Sequence, residues 1–152
     1  MNIYEFKTSN TMELITELDL KGKSWLKTIV SFSNTAGGRV FVGIELNPLR
    51  IVGVKESRSI LEKFVEDSII EGIEPVPVFS LYYRNIENME VLVVEVSRGN
   101  KTPYYIKDKG IEAGTYGRFG GKDIIAPQPF IDELILKGRN KVFSNKIYRI
   151  GR

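Results

Sequence analysis

The chain of 152 residues predicts an α/β (α+β) fold: a single two-layer domain, with a mixed, mostly antiparallel sheet and about three helices packed on it. Three observations carry that expectation. Residues 24–45 read as one unit of helix, double-glycine turn and buried strand. Residues 78–86 and Met89–Val96 are two long strand patterns joined by a tight polar turn. Helical and strand patterns interleave along the chain without repeats, and packing helices on a sheet is the usual way to bury both.

Residues 1–11 are a polar lead-in with a short edge strand at 3–6, and imperfect alternation over 12–21 reads as a first strand. The helix over 24–36 places Leu26, Ile29 and Val30 at helical spacing beside Trp25 and Phe32. Gly37 and Gly38 stop it, because glycine takes the left-handed cap conformation cheaply. Residues 39–45 are β-branched and aromatic-rich. Asn47 and Pro48 then turn the chain into a returning strand at 50–54, making a hairpin. Ser59 and Glu62 form a capping box for a second helix with Ile60, Leu61, Phe64, Val65, Ser68 and Ile69 inward, closed by Gly72. Residues 91–96 are apolar nearly throughout, which suits a central strand. Residues 104–107 and 112–118 read as short strands around a turn at 108–110, and residues 129–137 as a last helix with Phe130, Leu134 and Ile135 inward.

Length allows one domain with a core. We divide the chain into a domain over 1–136 and a basic tail or linker over 137–152, where Lys137, Arg139, Lys141, Lys146, Arg149 and Arg152 occur without an acid. Net charge is +3. No apolar run is long enough to span a membrane and no secretory signal is evident, so a cytoplasmic location is expected. With no cysteine and no histidine there is no disulfide, thiolate nucleophile or histidine base. Oxygen-ligand chemistry with Mg²⁺ or Mn²⁺ remains open. A phosphate-binding P-loop is unsupported: Lys122 is followed by Asp123, and Tyr116 stands where the first glycine belongs.

The block Phe32-Ser33-Asn34-Thr35-Ala36-Gly37-Gly38, running on through Val42-Gly43-Ile44-Glu45, resembles the signature of the Schlafen-type AlbA-like (AlbA_2) nucleic-acid-binding domain family. Ile51-Val52-Gly53-Val54, Lys101-Thr102-Pro103-Tyr104-Tyr105-Ile106, Tyr116-Gly117-Arg118-Phe119-Gly120 and Glu17-Leu18-Asp19-Leu20-Lys21 continue the likeness, which covers roughly residues 12–134. The resemblance implies a DNA- or RNA-binding module of a transcriptional regulator, one part of a longer parent chain. It further implies a homodimer, because such lobes tend to pair around a cleft; strand edges or a helix face near Trp25 would hold it. In the Schlafen branch three carboxylates form a metal-dependent ribonuclease centre, and Glu17, Asp19 and Glu45 fall near those places. Glu13 and Asp19, however, lie six positions apart where that pattern has five, which reverses faces in a strand. A nucleotide-binding or protein-interaction domain is a further alternative.

Read as residues, the cationic set is Lys21, Lys23, Lys27, Arg39, Arg98, Lys101, Arg118 and Lys122, with Tyr104, Tyr105, Tyr116 and Phe119 interleaved. Cations neutralise phosphates and aromatic faces stack on unpaired bases. Glycine-flanked Arg118 is the foremost phosphate contact in this reading. Glu17, Asp19 and Lys21 would share one strand face, allowing convergence on a cation. Asn34 and Thr35 read as helix-capping residues, and Gly53 as a close approach of strand and helix. Binding is favoured over catalysis. It requires no cofactor, and Mg²⁺ or Mn²⁺ belongs only to the ribonuclease alternative.

Overall fold

A computed structural model describes residues 3–150, without the side chains of Tyr4 and residues 140–150. After a 3-10 turn at Ile3–Glu5, the elements are β1 (Met12–Ile15), α1 (Leu26–Asn34), β2 (Gly38–Val42), β3 (Ile44–Glu45), β4 (Arg50–Ile51), α2 (Arg58–Gly72) and β5 (Ile73–Glu74). They continue with β6 (Phe79–Ile86), β7 (Met89–Val96), β8 (Tyr105–Ile106), α3 (Gly110–Gly114), β9 (Tyr116–Phe119), β10 (Lys122–Ile125) and α4 (Gln128–Ile150).

The main sheet has the order β1-β2-β7-β6; β1 runs parallel to β2 and the other pairings are antiparallel. This is the mixed, mostly antiparallel sheet expected, with β7 inside it. Side chains on β7 alternate between two cores. Leu92, Val94 and Val96 face α1 and α2, joining Ile29, Phe32, Val65 and Ile69. Val91 and Val93 face a smaller cluster of Phe6, Phe41, Ile44 and Ile51, contributed by the N-terminal segment, β2 and the β3–β4 hairpin. Burial on both faces is why residues 91–96 carry no apolar–polar alternation.

Several boundaries differ from the sequence expectation. The first strand stops at Ile15, and the 3-10 turn Ile3–Glu5 stands where the edge strand over 3–6 is expected. Gly43, at φ +111°, breaks the expected strand over 39–45: its amide donates to Ile15, and its carbonyl accepts from Val52 and Gly53. A Cβ on Gly43 would stand 2.9 Å from the Gly53 carbonyl carbon, so Gly53 is packed against backbone of the β3–β4 region rather than against a helix. The residue preceding α2 is Ser57 rather than Ser59, it makes no side-chain capping bond, and Ile60 is exposed while Leu61, Val65, Ser68 and Ile69 are buried. Residues 110–114 are helical, not strand, and β10 was not anticipated. The expected boundary at 136/137 lies within α4; the side chains of Lys141, Lys146 and Arg149, and Arg152 entirely, are outside the described residues. Among the described residues no helix is long and apolar enough to cross a membrane.

Candidate nucleic-acid interface

Arg118 sits on β9, and its side chain turns inward. Only 2% of the residue is exposed. Its Nε donates to the Ser9 carbonyl at 3.0 Å and Nη2 to the Met12 carbonyl at 3.0 Å. Nη1 donates to Glu13 at 3.1 Å and to Asp123 at 2.9 Å, and the guanidinium lies 5.2 Å from the Phe32 ring centroid. Thr28 Oγ1, on α1, also donates to Asp123. A buried cation requires this degree of pairing, since an unpaired one would cost several kcal/mol. The guanidinium therefore fastens the β9–β10 hairpin to β1 and the N-terminal segment, and offers no face to a phosphate. Glu13 is absorbed by the same network.

The acidic trio does not converge. Because β1 ends at Ile15, Glu17 and Asp19 lie in the following loop, where strand alternation no longer applies. Asp19 Oδ1 accepts from the amides of Lys21 at 3.1 Å and Gly22 at 3.0 Å, shaping that loop. Glu45 accepts from Arg50 at 2.9 Å. Glu17 and Glu45 do line one groove, with Arg50, Lys55 and Glu56, but Asp19 is not part of it. Among the described residues no group of three or more acidic side chains is placed to hold a metal ion.

The lysines behave differently. A cleft of about 660 Å³ opens at the N-terminal end of α1, ringed by Lys21, Lys23, Lys27 and Lys109, with Tyr116 and Ile106 in its lining. Glu71 and Asp108 also reach it, so four positive charges face two negative ones. Among the described residues none of these four lysines forms an ion pair. Lys23 lies 5.4 Å from the Phe64 ring centroid and Lys109 5.9 Å from that of Tyr116. The first α1 amides are already engaged, Leu26 with Lys23 and Thr28 with Trp25, so attraction for an anion rests on the side chains. Lys109 carries no signal of its own in the sequence. The 3-10 turn at Lys107–Lys109, where a plain turn was expected, carries it to the cleft.

The remaining cations are scattered. Arg39 is exposed but paired with Glu95 at 3.1 Å. Arg98 joins Lys137, Asn34 and Thr102 around a smaller cleft of about 270 Å³. Lys101 and Lys122 are exposed. Tyr104 is buried, and the Tyr105 hydroxyl donates to Glu74, leaving Tyr116 as the tyrosine in the lysine-ringed cleft. Asn34 is buried and does more than cap. Its side-chain amide donates to the carbonyls of Tyr104 at 2.8 Å and Tyr116 at 2.9 Å, and its oxygen accepts from the Tyr104 amide at 2.8 Å. Trp25 itself is buried, at 4% exposure, with its ring 6.1 Å from that of Phe64 on α2.

The family model described as Schlafen, AlbA_2 matches residues 2–127. No curated protein matches the chain. Among solved structures, the fold is similar to the N-terminal domain of a Nitrosomonas europaea protein named as related to the RecG ATP-dependent DNA helicase. That match has a TM-score of 0.61 and 20% identity, covering 82% of this chain and 88% of that domain. It is also similar to the DIP2311 protein of Corynebacterium diphtheriae, with a TM-score of 0.56 and 16% identity over 77% of this chain; the chain spans only 22% of that protein's length.

Proposed function

Because the chain belongs to the Schlafen, AlbA_2 family, we propose that it is a nucleic-acid-binding module that grips the phosphate backbone in the cleft of Lys21, Lys23, Lys27 and Lys109. The observation that carries the reading is the gathering of four lysines, none of them committed to an ion pair, around one cleft. Lysine is a flexible point charge that neutralises phosphate without reading sequence, so the module positions nucleic acid and leaves specificity to other contacts. Tyr116 offers a ring on which an unpaired base can stack. The helicase-related name of the Nitrosomonas neighbour supports a nucleic-acid role, and the greater length of the Corynebacterium protein supports a lobe within a larger regulator.

The test is affinity for a short single-stranded DNA and RNA across salt concentrations. Each phosphate neutralised contributes roughly 0.7–0.9 to the log–log slope. Replacing Lys21, Lys23, Lys27 and Lys109 by glutamine should lower that slope by up to about 3. The Lys101→Gln and Lys122→Gln changes should alter it little. Affinity that is flat with salt, or labelled ATP bound equally well without nucleic acid, would refute the proposal in favour of nucleotide sensing.

A further inference from the structure

β6 is eight residues long and pairs with β7 along one side only. Its hairpin closes through Glu87 and Asn88, at φ +51° and +63°, the two left-handed residues of a type I′ turn. In such a hairpin the flanking residues, Ile86 and Met89, exchange both hydrogen bonds, and bonded pairs recur at every second position. Arg84, Tyr82 and Ser80 therefore aim their backbone groups at β7. Phe79, Leu81, Tyr83 and Asn85 aim theirs outward, four N–H and four C=O groups in a row. Among the described residues no strand pairs with that edge. Natural edges are usually blunted by proline, bulges or several charges. β6 has no proline, keeps an unbroken register with β7, and carries the single charge of Arg84. Phe79, Leu81 and Tyr83 on one face and Tyr82 on the other are only half-buried at this edge.

We infer that this edge is a dimer interface, and that its occupant is β6 of a second copy, antiparallel about a two-fold axis at Tyr82. The register is what selects a second copy. With Tyr82 opposite Tyr82, Leu81 faces Tyr83 and Phe79 faces Asn85, so every outward group on both strands finds its partner, eight inter-chain hydrogen bonds in all by the alternation rule. Ser80 faces Arg84, so no like charges meet across the seam. The result is a continuous sheet of eight strands, four from each copy. It closes after two copies, because each β6 is consumed by the other. The half-buried tyrosines and Leu81 become cross-strand neighbours, the contacts that stabilise a sheet.

The experiment exploits the absence of cysteine from the chain. At the axis the two Tyr82 positions form a non-hydrogen-bonded pair with Cα atoms about 4.5 Å apart, within disulfide reach. Two Ser80 positions would be about 14 Å apart, at four residues along the strand. Under mild oxidation the full-length Tyr82→Cys variant should give a covalent dimer, and the Ser80→Cys variant should remain monomeric. Hydrogen exchange of the unmodified protein gives an independent reading. Amides of Leu81 and Tyr83 should be protected at high concentration and exchange on dilution, whereas those of Tyr82 and Arg84 stay protected throughout. A mass of 17.3 kDa at every concentration overturns the inference. So does equal cross-linking of both variants, or a dimer in which the Leu81 and Tyr83 amides exchange freely.

Discussion

Arg118 and Lys27 differ in what their charge is for. Arg118 is held by two carboxylates and two backbone carbonyls, while Lys27 faces an open cleft without an ion pair. Removing one member of a buried pair strands the others, so Arg118→Ala should destabilise the fold by about 3–5 kcal/mol. Arg118→Lys should recover little, because one ammonium cannot reach all four acceptors of the guanidinium fork. Urea denaturation checks both, and an unshifted midpoint combined with lost nucleic-acid affinity would return Arg118 to the interface. Asn34 poses the same question for a neutral group. Asn34→Ala leaves three backbone groups of Tyr104 and Tyr116 without partners, at a cost of about 3 kcal/mol or more by thermal melting. Both residues were visible in the sequence as unusual. Their direction was not, since the partners of Arg118 at Glu13 and of Asn34 at Tyr104 are distant in the chain and bear no periodic relation to them.

Among the elements, those with strong local signals matched the sequence best. Residues 78–96 show two strand patterns about a polar turn, and β6–β7 is that hairpin within one residue. α1 and α2 follow from apolar spacing and glycine stops. The short segments depart from their sequence pattern for one physical reason: in them tertiary pairing outweighs local pattern. β1 is only four residues long, and the loop that follows it is shaped by Asp19, which accepts from the Lys21 and Gly22 amides. That loop separates Asp19 from Glu17 and Glu45 and brings Lys21 and Lys23 to the cleft. β6 also makes a pH prediction. Burial raises the pKa of the Tyr82 and Tyr83 hydroxyls above the ordinary 10, with a further upward contribution from Glu95 at Tyr82. A raised folded-state pKa gives stability that is complete below pH 10 and lost as pH climbs through the folded value. Melting temperature should thus drop as pH rises above about 10. Tyr82→Phe with Tyr83→Phe should flatten the drop. Among the described residues the buried Tyr83 hydroxyl has no hydrogen-bond partner, so Tyr83→Phe should not reduce stability at neutral pH.

At the scale of the molecule, the sheet, the two cores and the cleft depend on segments far apart in the chain. The lysine-ringed cleft needs the 19–27 loop, the end of α2 and the turn before α3 together. The fold class was legible because interleaved helical and strand patterns leave few other ways to bury two apolar faces. The cleft was legible only as scattered cations, since its assembly is a long-range event. The Arg118 fastening has a consequence for synthesis. Ser9, Met12 and Glu13 leave the ribosome more than one hundred residues before the cation that satisfies them. Until Arg118 and Asp123 emerge, β1 has no clasp over its outer side, and its pairing with β2 must wait in a loosened, protease-accessible state. A ribosome-bound chain with residues up to 115 clear of the exit tunnel should accordingly be digested readily near residues 9–15, and one with residue 127 clear of it should resist. Limited proteolysis of ribosome-bound chains of the two lengths would show the change; equal resistance would mean that β1 is held on β2 without the β9–β10 hairpin. Protection of residues 9–13 from proteases is then expected to arrive only with Arg118, which clasps them from more than one hundred positions downstream.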